Sequence, residues 1–151
     1  MAVSQSYLGK ISDICVLETP AYGGLGPVNV TISNSGSVIA GPYKVAQKFF
    51  KFLMTEQGSV PSEPTYGTRF VSNLFSGQIH TALALSFAFY AEKDDILNYI
   101  KSSVLEPTPD EALLDVQLEG LTVTLDSAIM SLRFSFEDSS VILVPVAIST
   151  V

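Results

Sequence analysis

The sequence predicts an α+β fold: an extended N-terminal arm with a short hairpin, two to three helices, and a C-terminal three-stranded antiparallel meander. Three observations predict it. Apolar side chains recur at helical spacing from Val45 to Leu53. A second apolar stretch of mixed period runs from Thr81 to Ser103. Beyond Glu111 the apolar period drops to two and stays there, as half-buried strands require.

Residues 1–40 read as the arm. "GGLGP" breaks the chain, and "VNVTIS" and "SVIA" flank "NSG", which predicts a hairpin of Val28–Ile32 with Ser37–Ala40. A hairpin this small needs another surface to stabilise it. Residues 41–151 read as the main domain.

Gly41-Pro42 opens the first helix, since proline suits a first turn. At 100° per residue Val45, Ala46, Phe49, Phe50 and Leu53 form one stripe, and Lys44, Lys48 and Lys51 gather opposite it. The lysine face is expected to be solvated, or else to dock an acidic partner. The helix ends near Thr55. Gly58 is placed to take a left-handed backbone after it, Pro61 and Pro64 stiffen the loop, and Tyr66-Gly67 turns it. The loop is expected to hold the helix and a sheet at a fixed angle. Thr68 can cap a short helix over Arg69–Phe75.

In "TALALSFAFYAEKDDILNYIKSS", Leu83, Leu85, Phe87 and Phe89 alternate like a strand, while Leu83, Phe87, Tyr90 and Leu97 keep helical spacing. Alanine content and length favour one long helix from about Thr81. Its first half is apolar all round, which implies deep burial or a helix partner.

"LEPTPDE" stops that helix. Leu114, Val116 and Leu118 then share one parity and Leu121, Val123 and Leu125 the other, which predicts a bulge at Glu119-Gly120. A turn at Asp126-Ser127 leads to Ala128, Met130, Leu132, Phe134 and Phe136, alternating with polar residues. "EDSS" turns again into "VILVPVAI". Pro145 cannot donate to a ladder, so this last strand is an edge or carries a bulge. Its residues Val141, Leu143, Val144 and Val146 are candidates for binding an incoming strand. The other reading is that the N-terminal hairpin covers this edge.

The 151 residues suit one domain with one core. With 47% hydrophobic and 15% charged residues and a mean hydropathy of +0.37, some apolar surface is expected to meet partners. The longest apolar run, "ALALSFAFYA", is too short to span a membrane. "MAVSQSYLGK" lacks the basic start and apolar block of a signal peptide, so synthesis in the cytoplasm is expected. The net charge is −7. Residues 104–151 hold Arg133 against Glu106, Asp110, Glu111, Asp115, Glu119, Asp126, Glu137 and Asp138. Nucleic-acid binding is not expected, because phosphate contacts need a concentrated basic surface.

Cys15 and His80 are single, so neither an internal disulfide nor a thiolate or imidazole metal cluster is expected, and no cofactor motif occurs. His80 would have to serve any catalytic triad, and its place just before the long helix suits a cap or a surface role. Glu56 and Glu63 are the best pair for a glycosidase, whose two carboxylates stand about 5 to 9.5 Å apart. Nothing in the sequence puts one of them in an apolar pocket.

"KVAQKFFKFLMTEQGSVPSEPTYGT", with its T-x-x-G-S-x-P run and aromatic-Gly turn, followed by the closing meander, resembles the GPW-type baseplate wedge family of contractile phage tails, related to type VI secretion baseplate subunits. The resemblance covers roughly Pro42 to Ile148. In place of the family's Glu-Pro-Arg signature stands Glu111-Ala112-Leu113, so only the acid, Glu111, is kept for partner contacts. The resemblance implies a structural subunit of the virion tail baseplate, present in multiple copies in a symmetric assembly. Its implied partners are other wedge proteins, through its helices, and the tail sheath protein, through strand addition. Some members are labelled lysozyme-like, which makes a tail-associated peptidoglycan hydrolase the alternative. A bacterial member that binds another protein's adaptor suggests a third reading, a regulatory anti-adaptor.

Overall fold

Pro42 stands in the first turn of helix α1 (Pro42–Met54), behind Gly41, whose φ of 73° needs a residue without a side chain. The computed structural model describes residues 40–76, 81–104, 106–124 and 127–149, together with the backbone of four two-residue strands before them. Cys15 and His80 lie outside the described residues.

Those strands are β1 (Asp13–Ile14), β2 (Leu17–Glu18), β3 (Asn29–Val30) and β4 (Val38–Ile39). β1 pairs antiparallel with β4, and β2 with β3. Of the hairpin expected between Val28–Ile32 and Ser37–Ala40, the described residues Asn29–Val30 and Val38–Ile39 pair with earlier strands and not with each other. Val38–Ile39 pair with Asp13–Ile14 and Asn29–Val30 with Leu17–Glu18, two nested ladders instead of one isolated short one.

The stripe Val45, Ala46, Phe49, Phe50 and Leu53 is buried, as expected. Phe52, Gln47 and Lys44 are buried too, so α1 is enclosed on more sides than its own pattern foretells. Helix α2 (Phe70–Phe75) and helix α3 (Ala82–Ser103) pack on α1, Tyr99 of α3 lies against Phe52, and Glu111 from the loop before the sheet covers Lys44. The Thr81 hydroxyl caps α3, accepting from the Ala84 N–H at 3.1 Å.

The meander forms as predicted: β5 (Leu113–Val123), β6 (Ser127–Phe136) and β7 (Val141–Ser149), in the order β5-β6-β7. β6 turns Ala128, Met130, Leu132, Phe134 and Phe136 to the core. The predicted bulge lies between Leu118 and Gly120, and a second one lies between Leu113 and Asp115. The second bulge buries Leu113 and turns Leu114 out to 53% exposure, against its expected parity.

Helices and sheet meet through aromatic rings. Phe134 of β6 meets Phe49 of α1 edge-on at 5.4 Å and Phe50 at 5.9 Å, and Phe89 of α3 meets Phe49 at 6.0 Å. Each such contact adds about 1 kcal/mol beyond the area it buries.

The loop after α1 is stitched at both ends. Thr68 N–H donates to Thr55 O at 2.9 Å and Gln57 N–H to Thr68 O at 3.0 Å, a short parallel bridge at Glu56 and Thr68. Inside the loop, Ser59, Glu63 and Tyr66 N–H groups close successive turns onto Glu56, Val60 and Glu63 carbonyls. Gly58 has φ 87°, as anticipated. The Thr68 hydroxyl accepts from Phe70 N–H at 3.1 Å and donates to Leu53 O at 2.8 Å. Tyr66 meets Phe52 at a tilt at 4.7 Å and Tyr99 edge-on at 5.3 Å, and Phe52 meets Tyr99 at a tilt at 4.7 Å. The fastening thus joins α1 to α3, helix to helix, and not helix to sheet as expected, because its anchoring ring projects between the two helices.

Gly67 has φ 99°, and a Cβ there would collide with the Thr55 carbonyl, whereas a Cβ at Gly58 would meet nothing. Gly58→Ala should therefore cost about 1 kcal/mol, the left-handed penalty alone. Gly67→Ala should cost about 3 kcal/mol or more, since the bridge must also open. Urea unfolding of the two variants measures the difference.

Candidate functional site

A three-stranded sheet has two edges, and here they differ. The β5 edge is occupied by α3. Leu118 N–H donates to the Tyr90 hydroxyl at 3.2 Å, Lys101 Nζ donates to Leu114 O at 3.3 Å, and Lys93 Nζ pairs with Asp115 Oδ1 at 2.8 Å. Lys93 also lies 5.5 Å from the centre of the Tyr90 ring.

The β7 edge carries no such cover among the described residues. Among the described residues β7 pairs with β6 alone, and β1 to β4 form ladders of their own. The register from Ser135–Val141 to Ser127–Ser149 is unbroken, so Pro145 sits without a bulge. Phe136 N–H donates to Ser140 O at 3.0 Å, which sets the phase of the ladder. Antiparallel pairs alternate, so Ile142, Val144, Val146 and Ile148 exchange hydrogen bonds with β6. Main-chain groups of Val141, Leu143, Pro145, Ala147 and Ser149 point the other way, to the open side. Pro145 thus occupies a position whose N–H is not needed by the sheet.

This phase sorts the candidate residues. Val141 and Leu143 are 46% and 52% exposed and turn both side chain and main chain outward. Val144 and Val146 were expected at the binding surface, but their side chains are buried in the core and their main chain is committed to β6. Alternation along a strand forces this: neighbours cannot both face out. Ala147 belongs to the edge and was missed. Pro145 could have revealed it, because proline is tolerated only on the outward parity.

Lys44 and Glu111 do not form an open docking surface. Glu111 Oε2 accepts from Lys44 Nζ at 2.9 Å, and Oε1 accepts from Gly41 N–H at 2.9 Å, with both side chains 9% exposed. The loop before β5 is thereby clamped to the start of α1, and the expected solvated lysine face is lost. Lys48 Nζ reaches the Ser103 hydroxyl at 3.5 Å, and Lys48 and Lys51 are half-buried. A helix wheel sees only its own helix; it could not show an acid 67 residues away.

Gly58, Pro61 and Pro64 lie exposed on the stitched loop, while Tyr66 and Gly67 face inward. Glu63 is exposed and Glu56 half-buried. Glu63 acts on its neighbours: burial, then Tyr99 and Glu63, push the Tyr66 hydroxyl above its usual pKa, and burial, then Glu63, push up Tyr99. A second apolar surface lies on α3, where Leu83, Phe87 and Tyr90 are exposed at helical spacing. A shallow groove lined by Ala82, Leu83, Ser86, Leu118, Gly120 and Leu121 runs beside it.

Among the described residues no three metal-ligating side chains converge, and no helix is long and apolar enough to cross a membrane. Compared with protein-family models the chain matches none, and compared with curated proteins it matches none.

Two measurements test this arrangement. Removing one partner of the buried pair, by Lys44→Met or Glu111→Gln, should cost about 3 kcal/mol in urea unfolding. Lys44→Met with Glu111→Leu should recover much of that, less the acceptor lost by Gly41 N–H. The second concerns acid. Burial tends to raise the Asp115 pKa, but hydrogen bonds from Lys93 and Val116 N–H outweigh it and the net shift is downward. A lowered folded-state pKa contributes stability that is present above the unfolded value of 3.8 and is lost as pH falls through the folded value. Unfolding followed between about pH 5 and about pH 2 should show a smaller acid loss in Asp115→Asn than in the parent.

Proposed function

We propose that the protein is a structural baseplate wedge component of a contractile phage tail that initiates sheath assembly by accepting a strand on β7. The observation that carries this reading is the asymmetry of the sheet. α3 spends three side chains on the β5 edge, while β7 presents outward main-chain groups beside the exposed apolar side chains of Val141 and Leu143. An edge of that kind binds through main-chain hydrogen bonds, which depend little on the visitor's sequence. The loop resemblance from Lys44 to Thr68 supports placing it in a tail, where the visitor is the sheath protein.

The exposed Leu83, Phe87 and Tyr90 of α3 supply the second contact, with helices of other wedge proteins. Two separate surfaces, one for a strand and one for a helix, suit an adaptor repeated in a symmetric assembly. Neither surface needs a cofactor. Three of the basic side chains are engaged one by one with acids: Lys44 with Glu111, Lys93 with Asp115, Arg133 with Glu119. Such spacing does not suit nucleic acid as a partner.

Leu143→Pro with Ala147→Pro removes two outward N–H groups and leaves the β6 ladder its donors. The doubly substituted protein should keep its circular dichroism spectrum, while tails carrying it should appear in electron micrographs as tubes without sheath. Normal sheath on those tails would overturn strand acceptance.

A further inference from the structure

The same edge carries information about its visitor. β7 contains no charged residue from Val141 to Ser149, and its outward N–H row is interrupted at Pro145. Just before β7 the chain turns through Glu137, Asp138 and Ser139, all exposed. That turn is tied to the loop before β5: Glu137 N–H donates to Ala112 O at 3.0 Å and Asp138 N–H to Pro109 O at 3.2 Å. The two bonds bring Asp110 to the same end of the sheet as Glu137 and Asp138. Arg133, in register with Leu143 on the outer face, is engaged by Glu119 at 3.5 Å.

We propose that the segment seated on β7 is a strand of another protein with lysine or arginine at the end that lies against the Glu137–Asp138 turn. This rests on the strand-acceptor reading of the preceding subsection. Main-chain bonds along a uniform edge leave register and direction open. Two features of this edge remove that freedom. The acidic turn attracts a cationic end and repels an acidic one, which orients the visitor. Pro145 offers a carbonyl but no N–H, so one visitor carbonyl opposite it must be satisfied by its own side chain or by water. A visitor with a Ser, Thr or Asn near that carbonyl fits best, and a slip of register moves the gap to a carbonyl without that help.

The test uses the full chain and fluorescent peptides of alternating Thr and Val, bearing two lysines at one end or the other, or two glutamates in the same places. Fluorescence anisotropy at low salt should show a lysine peptide binding about five-fold more tightly than its glutamate counterpart. The preference should shrink as salt rises. Glu137→Lys with Asp138→Asn, which keeps an acceptor for the 2.8 Å bond from Ser140 N–H, should abolish or reverse it. Pro145→Val, which restores a donor, should tighten both peptide classes about equally. Equal binding of lysine and glutamate peptides to the parent overturns the charge assignment and leaves strand acceptance standing. No binding of any peptide overturns both.

Discussion

Phe134 has to lie against Phe49 and Phe50, and that requirement fixes the phase of the whole sheet. β6 is the central strand, so the side that Phe134 chooses becomes the core side for its neighbours on both flanks. Register then carries the choice across: Phe134 stands opposite Ile142, Leu132 opposite Val144, Met130 opposite Val146. Side-chain face and main-chain direction alternate together along a strand. Once Val144 and Val146 face inward, the outward row of N–H and C=O groups on β7 must belong to Val141, Leu143, Pro145 and Ala147. An aromatic contact in the core thus decides which main-chain groups β7 turns to its outer side.

The two sheet edges show how a small chain can hide one edge and keep another. α3 covers β5 with side chains, not with a fourth strand. The Tyr90 hydroxyl and the Lys101 ammonium reach Leu118 and Leu114, and Lys93 locks the approach through Asp115. The position of α3 depends in turn on the Phe52, Tyr66 and Tyr99 cluster, which the stitched loop holds between α1 and α3. The loop therefore acts on the sheet at one remove, by setting the helix that guards β5.

Local periodicity made most of this fold legible. The stripe of α1, the long α3, the inward parity of β6 and the edge character of β7 all follow from spacing within one segment. The readings that failed depend on partners distant in sequence. Lys44 lies on the polar side of its own helix, yet Glu111 and the α1 N-terminus enclose it. Leu114 keeps the expected parity in sequence but not in space, because a bulge inserts one residue before Asp115. The segments around Asn29 and Val38 resemble a hairpin, but each pairs with an earlier stretch. At the candidate site, Pro145 held the answer in plain view. A proline tolerated in an unbroken ladder marks the outward parity, and that excludes Val144 and Val146 while admitting Ala147.

Pro145 also bears on why an exposed apolar edge persists at all. An unprotected edge pairs readily with its own kind, and a protein that displays one risks assembling with itself. Two copies of β7 paired antiparallel about a two-fold axis near their midpoints would bring their prolines into the same short ladder. Both missing donors would then fall in one interface, each leaving a carbonyl opposite without its partner, at about 1 to 3 kcal/mol apiece where water is excluded. A different visitor meets only one such gap and can fill it with a side chain of its own. The acidic turn adds to the discrimination, since every copy of this chain carries the same negative end and an opposite charge must come from elsewhere. Proline in the middle and acid at one end together make self-pairing of this edge the poorer choice, which is what the proposal of a foreign strand requires.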